Sequence, residues 1–442
     1  MINRLTCFFI SGLLALPFSM AGSRPMTLHD CMEYAVSKST KLNIQKAESS
    51  DRRLAIRDAV LSAFTPQISA ATYAYYNFGR SIDPQTNTYF NQTSFHNNYS
   101  VSAAIDLFDG LTAINNIKIS KTGLLISQSM EQQAEADICL AVIEAYYNTV
   151  YYNRLQAVFG LLMEEAERNL LLARRQEELG QKGYADVIQS EAELADRQYD
   201  LISIGNMAAD QLMTLKSLIF WDEEEDIQID DTLPEFSMES YDIEETTGYA
   251  LGNNPSVKIA EWNVENARRE HRVAKWQLLP SISLYGGWNT SYYTYRGFSS
   301  ASFGNQFRNN RGEYIELGVT IPLYNRLKGF SNIKRKKNAY NNARLTLDQT
   351  KMDIEMEVAR AIKDYEGATS AYRQAMKKSK VQEEAFALNR KKLEQGLISP
   401  LEFQTANNNY LKAKSDEMNS LFKCLLKQAV VRYYRGIDYI NQ

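Results

Sequence analysis

Side chains placed to do chemistry are sparse in this sequence of 442 residues. The three histidines, His29, His96 and His271, stand in unrelated contexts, outside any metal-ligand or catalytic-triad spacing. No Walker-type loop is present to cradle phosphate. The run Asp222-Glu223-Glu224-Glu225-Asp226 concentrates carboxylates, but nothing beside it pins them into a coordination geometry, so a solvated linker accounts for it better than a metal site. Two other carboxylates have more specific surroundings. Asp186 follows Gly180 in the stretch Leu179–Ser190, and Glu402 follows Gly396 in Leu393–Thr405, 216 residues later in each case. In the later stretch Gly396 suits the left-handed end of one helix, Ser399 the cap of the next and Pro400 its first position. Glu402 completes a Ser-x-x-Glu capping box. Both stretches are expected to be hairpin tips.

The elements that carry the tips form one unit written twice. Leu28–Ala63 is expected to be helical with an interruption near Lys38–Lys41. Its counterpart, about Ile243–Leu279, is interrupted at Gly252-Asn253-Asn254-Pro255. Pro66 and Pro280 end these helices, because proline cannot continue the hydrogen-bond ladder. The period then changes from 3.6 to 2. Ile68, Ala70, Thr72, Ala74 and Tyr76 alternate with small or polar neighbours, as do Tyr99, Val101, Ala103, Ile105 and Leu107. In the second copy Ile282, Leu284, Gly286 and Trp288 share one face, and so do Ile315, Leu317, Val319, Ile321 and Leu323. Four strands of about ten residues with one apolar face match the span of a tilted membrane strand. The segments between them, Arg80–His96 and Thr294–Arg311, are expected to be long polar loops.

A very long helical pattern follows each strand pair. Ile333, Tyr340, Leu347, Ile354, Ala361, Ala368 and Ala375 keep a seven-residue period, with Val358, Tyr365 and Tyr372 as a second seam. The first copy gives Ile117, Leu124, Glu131, Ile138, Ala145, Tyr152 and Phe159. Sustained heptads mean left-handed coiled-coil packing, and helices of 65–70 residues would reach roughly 100 Å. The returning helices are expected from Asp186 to Phe220 and from Ser399 to Tyr434.

Composition bounds the rest. A net charge of −4 gives no polybasic signature for nucleic acid, and 27 tyrosines against nine prolines suit aromatic-rich strands and long helices. Arg4, the apolar Leu5–Leu16 and Ser19-Met20-Ala21 form an export signal, with cleavage expected after Ala21. Cys31, Cys139 and Cys424 remain after it, an odd number without metal-like spacing. No later stretch offers about 20 consecutive apolar residues, so an exported chain of this kind enters a membrane only as a closed β-barrel. Four strands are too few to close one, since such barrels start at eight, and at least two chains are required. The rival expectation is an exported, soluble coiled-coil scaffold with a small β-domain.

Export signal, tandem repeat, strand pairs, long helices and glycine-turn tips together resemble the TolC family of outer-membrane efflux proteins, across Gly22 to Gln442. The residues that carry the resemblance best are Gly180 with Asp186-Val187 and Gly396 with Glu402-Phe403, and residues 77–87 resemble first-loop sequences of Bacteroidetes members. The resemblance implies a mainly α fold with membrane β-strands. A long α-helical coiled-coil barrel in the periplasm would join a β-barrel of four strands per chain, twelve per trimer. It divides the chain into a signal peptide (1–21), a first repeat (22–221, tip 179–187), an acidic linker (222–239) and a second repeat (240–442, tip 395–403). It further implies passive transport without enzymatic activity or cofactor, in drug efflux or type I secretion. The implied partners are a periplasmic adaptor (membrane fusion) protein, an inner-membrane transporter of RND or ABC type, and outer-membrane lipid. By position, Glu402 falls where family members place an acidic pore ring. Thr405 falls where a second acid can occur, and Ile398 where some members carry a basic side chain. Asp186 is a further pore candidate, although it also suits a helix cap. The adaptor-docking candidates are Gly180, Val187, Gly396, Leu397, Ser399 and Phe403.

Overall fold

A computed structural model describes residues 25–82, 86–91, 93–222, 227–232, 236–296 and 299–437. The export signal and most of the acidic run lie outside them. Helices α1 (Leu28–Lys38) and α2 (Thr40–Phe64) lead into strand β1 (Gln67–Asn77), a small hairpin of β2 (Arg80–Ile82) and β3 (Tyr89–Asn91), and strand β4 (Ser94–Phe108). Helices α3 (Thr112–Glu178) and α4 (Tyr184–Ile219) follow. The second half begins with α5 (Ile243–Asn253) and α6 (Pro255–Trp276), then β5 (Ser281–Tyr295), α7 (Phe303–Asn309) and β6 (Gly312–Thr320). It ends with α8 (Lys328–Glu394) and α9 (Pro400–Tyr434). α3 and α8 are both 67 residues long and start 216 residues apart.

The breaks have local causes. Ser39 caps α2 by accepting from the Leu42 amide, and Asn254 caps α6 by accepting from Ser256, with Pro255 at its first turn. All seven heptad positions named in α8 are buried or half-buried, as are those in α3, so the seven-residue period marks the packed seam.

Two compact units result. One comprises Lys38–Leu140, Ser237–Lys380 and Asn419–Gln442 and contains the sheet. The strands run antiparallel in the order β1-β4-β5-β6, so β1 and β6 are edges. The register puts Ile282 opposite Val319, Leu284 opposite Leu317 and Ile105, and Ala103 opposite Ile68. One face is therefore apolar, and it is exposed: Ile315 is 85% accessible and Ile68 69%. The other face is polar, with Ser69 bonded to Ser102 at 3.0 Å and Ser283 donating to Asp106 at 2.6 Å. None of the described helices is long and apolar enough to cross a membrane; the strands supply the apolar surface instead.

Three expectations need correction. Residues 80–96 and 294–311 are not wholly loop, since they hold the β2–β3 hairpin and α7. β6 stops at Thr320, not Leu323, because its partner β5 begins opposite it at Ser281, next to Pro280. β5 conversely runs six residues beyond its last β6 partner, Asn289. There α7 takes over. The buried Gln306 side chain accepts from the Tyr293 amide at 3.0 Å and donates to its carbonyl at 2.8 Å, and Asn310 donates to the Ser291 carbonyl. Phe303 and Phe307 meanwhile pack edge-on against Tyr99, and Tyr292 and Trp288 close the cluster.

The second unit comprises the described residues of Met1–Ser37, Ala141–Phe236 and Val381–Met418. A parallel bridge joins Met26 to Ile229, and Tyr146 donates to the Asp230 carbonyl at 2.6 Å, fastening the N-terminal segment and the inter-repeat linker to α3. Burial pushes the neighbouring Cys31 thiol up to about 12, so it stays protonated and packs as a small apolar group.

Glycines at positive φ differ in what a side chain would meet. Gly110 lies at φ 69, and a Cβ there would come 2.5 Å from the Trp276 carbonyl oxygen; Gly396 has the same φ with nothing within 4 Å. Gly396→Ala is expected to cost about 1 kcal/mol, the left-handed penalty alone. Gly110→Ala should cost ~2 kcal/mol or more, since the backbone must also move. Denaturant unfolding of the two variants tests this; equal losses would contradict the packing at Trp276.

Candidate functional site

Both tips are built by the same backbone device. At the end of α3 the Gly180 amide donates to Glu177 at 2.8 Å and the Gln181 amide to Gln176 at 2.8 Å. At the end of α8 the Gly396 amide donates to Leu393 at 2.9 Å and the Leu397 amide to Lys392 at 2.8 Å. Each is a Schellman turn, which needs a left-handed residue at the position glycine occupies, and both glycines have φ 69.

The carboxylates cap the returning helices. Glu402 Oε2 accepts from the Ser399 amide at 3.0 Å while Ser399 Oγ accepts from the Glu402 amide at 3.2 Å, a complete capping box. Asp186 accepts from the Gly183 amide at 3.3 Å. Glu402 remains exposed, as does Thr405, whose hydroxyl donates back to the Leu401 carbonyl.

The docking candidates separate into two groups. Gly180, Gly396, Leu397 and Ser399 are exposed. Val187 and Phe403 are buried instead. Val187 packs with Leu170, Ala173 and Leu194 inside the first hairpin. Phe403 is 1% exposed and stands 5.6 Å from the Phe386 ring, which stacks in turn on Tyr410 at 4.9 Å. These two side chains therefore hold the tips in shape and do not form their surface.

Behind the tips lies a polar layer that sequence reasoning passed over. Arg197 of α4, only 4% exposed, donates to Asp200 at 3.2 Å and to Asn408 of α9 at 2.6 Å. Glu193 beside it is buried with Asn407. A cleft of about 450 Å³ opens nearby, lined by Glu165, Arg168, Glu193, Arg390, Glu394 and Phe403 among others. The sequence carries a signal at one position: 216 residues after Arg197 its repeat counterpart is the small, apolar Ala413.

Comparison with known proteins places this arrangement. Residues 247–431 match the family model described as Outer membrane efflux protein. Outer membrane efflux protein BepC of Brucella suis biovar 1 (strain 1330) is 21% identical over 358 residues, covering 78% of this chain and 71% of that protein. These matches make the chain similar to TolC-family outer-membrane efflux proteins. The fold agrees along its whole length. The Campylobacter jejuni CmeC outer membrane channel superposes with a TM-score of 0.76 at 16% identity, covering 100% of this chain and 95% of that one. The open state of the Neisseria gonorrhoeae MtrE outer membrane channel gives 0.75 at 16% identity, covering 94% and 90%. The similarity supports an outer-membrane channel of tripartite efflux systems over the soluble scaffold.

Burial raises the Glu193 carboxyl above its ordinary 4.5, by more than Arg197 and the Asn407 hydrogen bond lower it; Glu165 and Asp196 also push it up. A raised folded pKa contributes stability below the unfolded value and loses it as pH rises through the folded one. Glu193→Gln should therefore gain stability relative to the wild type between pH 5 and pH 7. Urea unfolding at the two pH values checks this, and a difference independent of pH would show that Glu193 does not titrate in that window.

Proposed function

We propose that three copies close one twelve-stranded barrel in the outer membrane and pass substrates outward without an energy source of their own. The observation that carries this is the sheet with two unpaired edges and an exposed apolar face. Unpaired backbone groups in hydrocarbon cost several kcal/mol each, so β6 of one copy must pair with β1 of the next. Eight strands would fill with side chains, whereas twelve leave a lumen. Cysteines placed singly along β1 and β6, one of each per chain, with Cys31, Cys139 and Cys424 replaced, should oxidise to covalent trimers in membranes. A series that stops at dimers, or yields no cross-link along either strand, would count against the closure.

In this reading the export signal at 1–21 delivers the chain, and energy comes from an inner-membrane transporter of RND or ABC type through a periplasmic adaptor. The exposed tip residues Gly180, Gly396, Leu397 and Ser399 form the adaptor contact, with Val187 and Phe403 fixing the shape beneath. Glu402, repeated by symmetry, rings the aperture with three carboxylates that favour cations. Thr405 adds no charge, and Asp186 contributes chiefly as a cap. Gly396→Val should abolish export while trimers persist. Glu402→Lys should shift the reconstituted channel toward anions, read as a reversal potential under a salt gradient; unchanged selectivity would place the carboxylate away from the lumen.

A further inference from the structure

The two junctions between membrane strand and long helix share a feature that conduction does not require. β4 ends at Phe108 and α3 begins at Thr112; β6 ends at Thr320 and α8 begins at Lys328. Just before each helix stands a leucine, Leu111 or Leu327, held at φ 62. The preceding residue is left-handed too, Gly110 at φ 69 and Arg326 at φ 56. Branched side chains enter this region only under strain, and glycine or asparagine would be the relaxed choice. Strain of this kind at both junctions calls for a use of the leucine side chain, and both leucines are exposed.

From each leucine a stripe continues along one helix face at i+3, i+7 and i+10. It reads Leu111, Ile114, Lys118 and Lys121 in the first repeat, and Leu327, Phe330, Lys334 and Lys337 in the second. All eight residues are exposed. The apolar pair lies next to the strand end, and the lysines come one to two turns further on. No Asp or Glu occurs from residue 110 to 130 or from 317 to 347, and the second interval adds Arg326, Lys328, Arg335, Lys336 and Arg344. Lys336 pairs with Glu270 at 2.6 Å, whereas none of the four stripe lysines makes an ion pair among the described residues.

We propose that these stripes anchor the channel to the periplasmic leaflet of the outer membrane by binding anionic phospholipid. Leu111, Ile114, Leu327 and Phe330 sit at the acyl boundary where the apolar strand face ends. Each lysine pair extends from there to a lipid phosphate, its stem covering apolar surface and its ammonium in water. The order apolar then basic, moving away from the strands, matches the order of acyl chain then headgroup. A free anion would have no use for the apolar half, and an acidic protein would have no reason to meet it at the level of the strand ends.

Native mass spectrometry of the purified full-length channel tests this, with phosphatidylglycerol or phosphatidylcholine of the same chain length added. The wild type should retain phosphatidylglycerol in preference. K118Q/K121Q/K334Q/K337Q should lower that retention at least about tenfold, while K363Q/K377Q/K380Q/K391Q, which removes as many charges from elsewhere on α8, should not. L111G/L327G, which relaxes the backbone, should weaken retention of both lipids. Equal retention of the two lipids by the wild type overturns the proposal, as does unchanged retention by the stripe variant. Displacement of the lipid by inorganic phosphate would also overturn it, by assigning the lysines to a free anion.

Discussion

Inside hydrocarbon a backbone N–H or C=O has no water to fall back on, so each must find a partner in protein. Much of this chain is arranged around that requirement. Six of the eight strand edges in the four-stranded sheet are joined in ladders within the chain, through the pairs β1–β4, β4–β5 and β5–β6. The edges left over lie on β1 and β6. Side chains follow the backbone. Because antiparallel partners point to the same face, Ile282 with Val319 and Leu284 with Leu317 build a lipid surface, while Ser69 with Ser102 and Ser283 with Asp106 build a wet one.

The helical unit at the tips obeys a different rule. Its seams are apolar at Leu170, Ala173 and Val187, but Arg197 and Glu193 interrupt them with charge. Arg197 offsets part of its desolvation by donating to Asp200 and Asn408, and that bond to α9 joins the first repeat to the second. The turns at the tips are closed locally, above the packing of Val187 and Phe403. Schellman turns at Gly180 and Gly396 and the Ser399–Glu402 box are local, closed within a few residues.

That difference in range explains what was legible in the sequence. Capping boxes, proline stops, heptads and strand alternation are set by residues near in sequence, and they marked the helix breaks, the packed seams and the apolar face of the strands. α7 was missed because a seven-residue helix does not form through its own propensity. It is held by Gln306 on the Tyr293 backbone and by Phe303 and Phe307 among the rings of Tyr99, Trp288 and Tyr292. Arg197 and Asn408 were missed as a pair for the same reason, standing 211 residues apart. The apolar alternation from Ile315 to Leu323 overran the true end of β6, since alternation marks a face and says nothing of where the partner strand begins.

The amide of Gln306 has a consequence for which strand edges stay open. By occupying the N–H and C=O of Tyr293, it makes the distal stretch of β5 a poor template for an arriving strand. The chain thus leaves ladder groups open along β1 and β6 and satisfies those of distal β5 that would admit a mispaired or slipped strand. A newly exported protomer carrying a long bare edge would risk joining at the wrong height, or joining an unrelated chain. One glutamine, aimed sideways from a helix of seven residues, fills the backbone positions of β5 that β6 stops short of reaching.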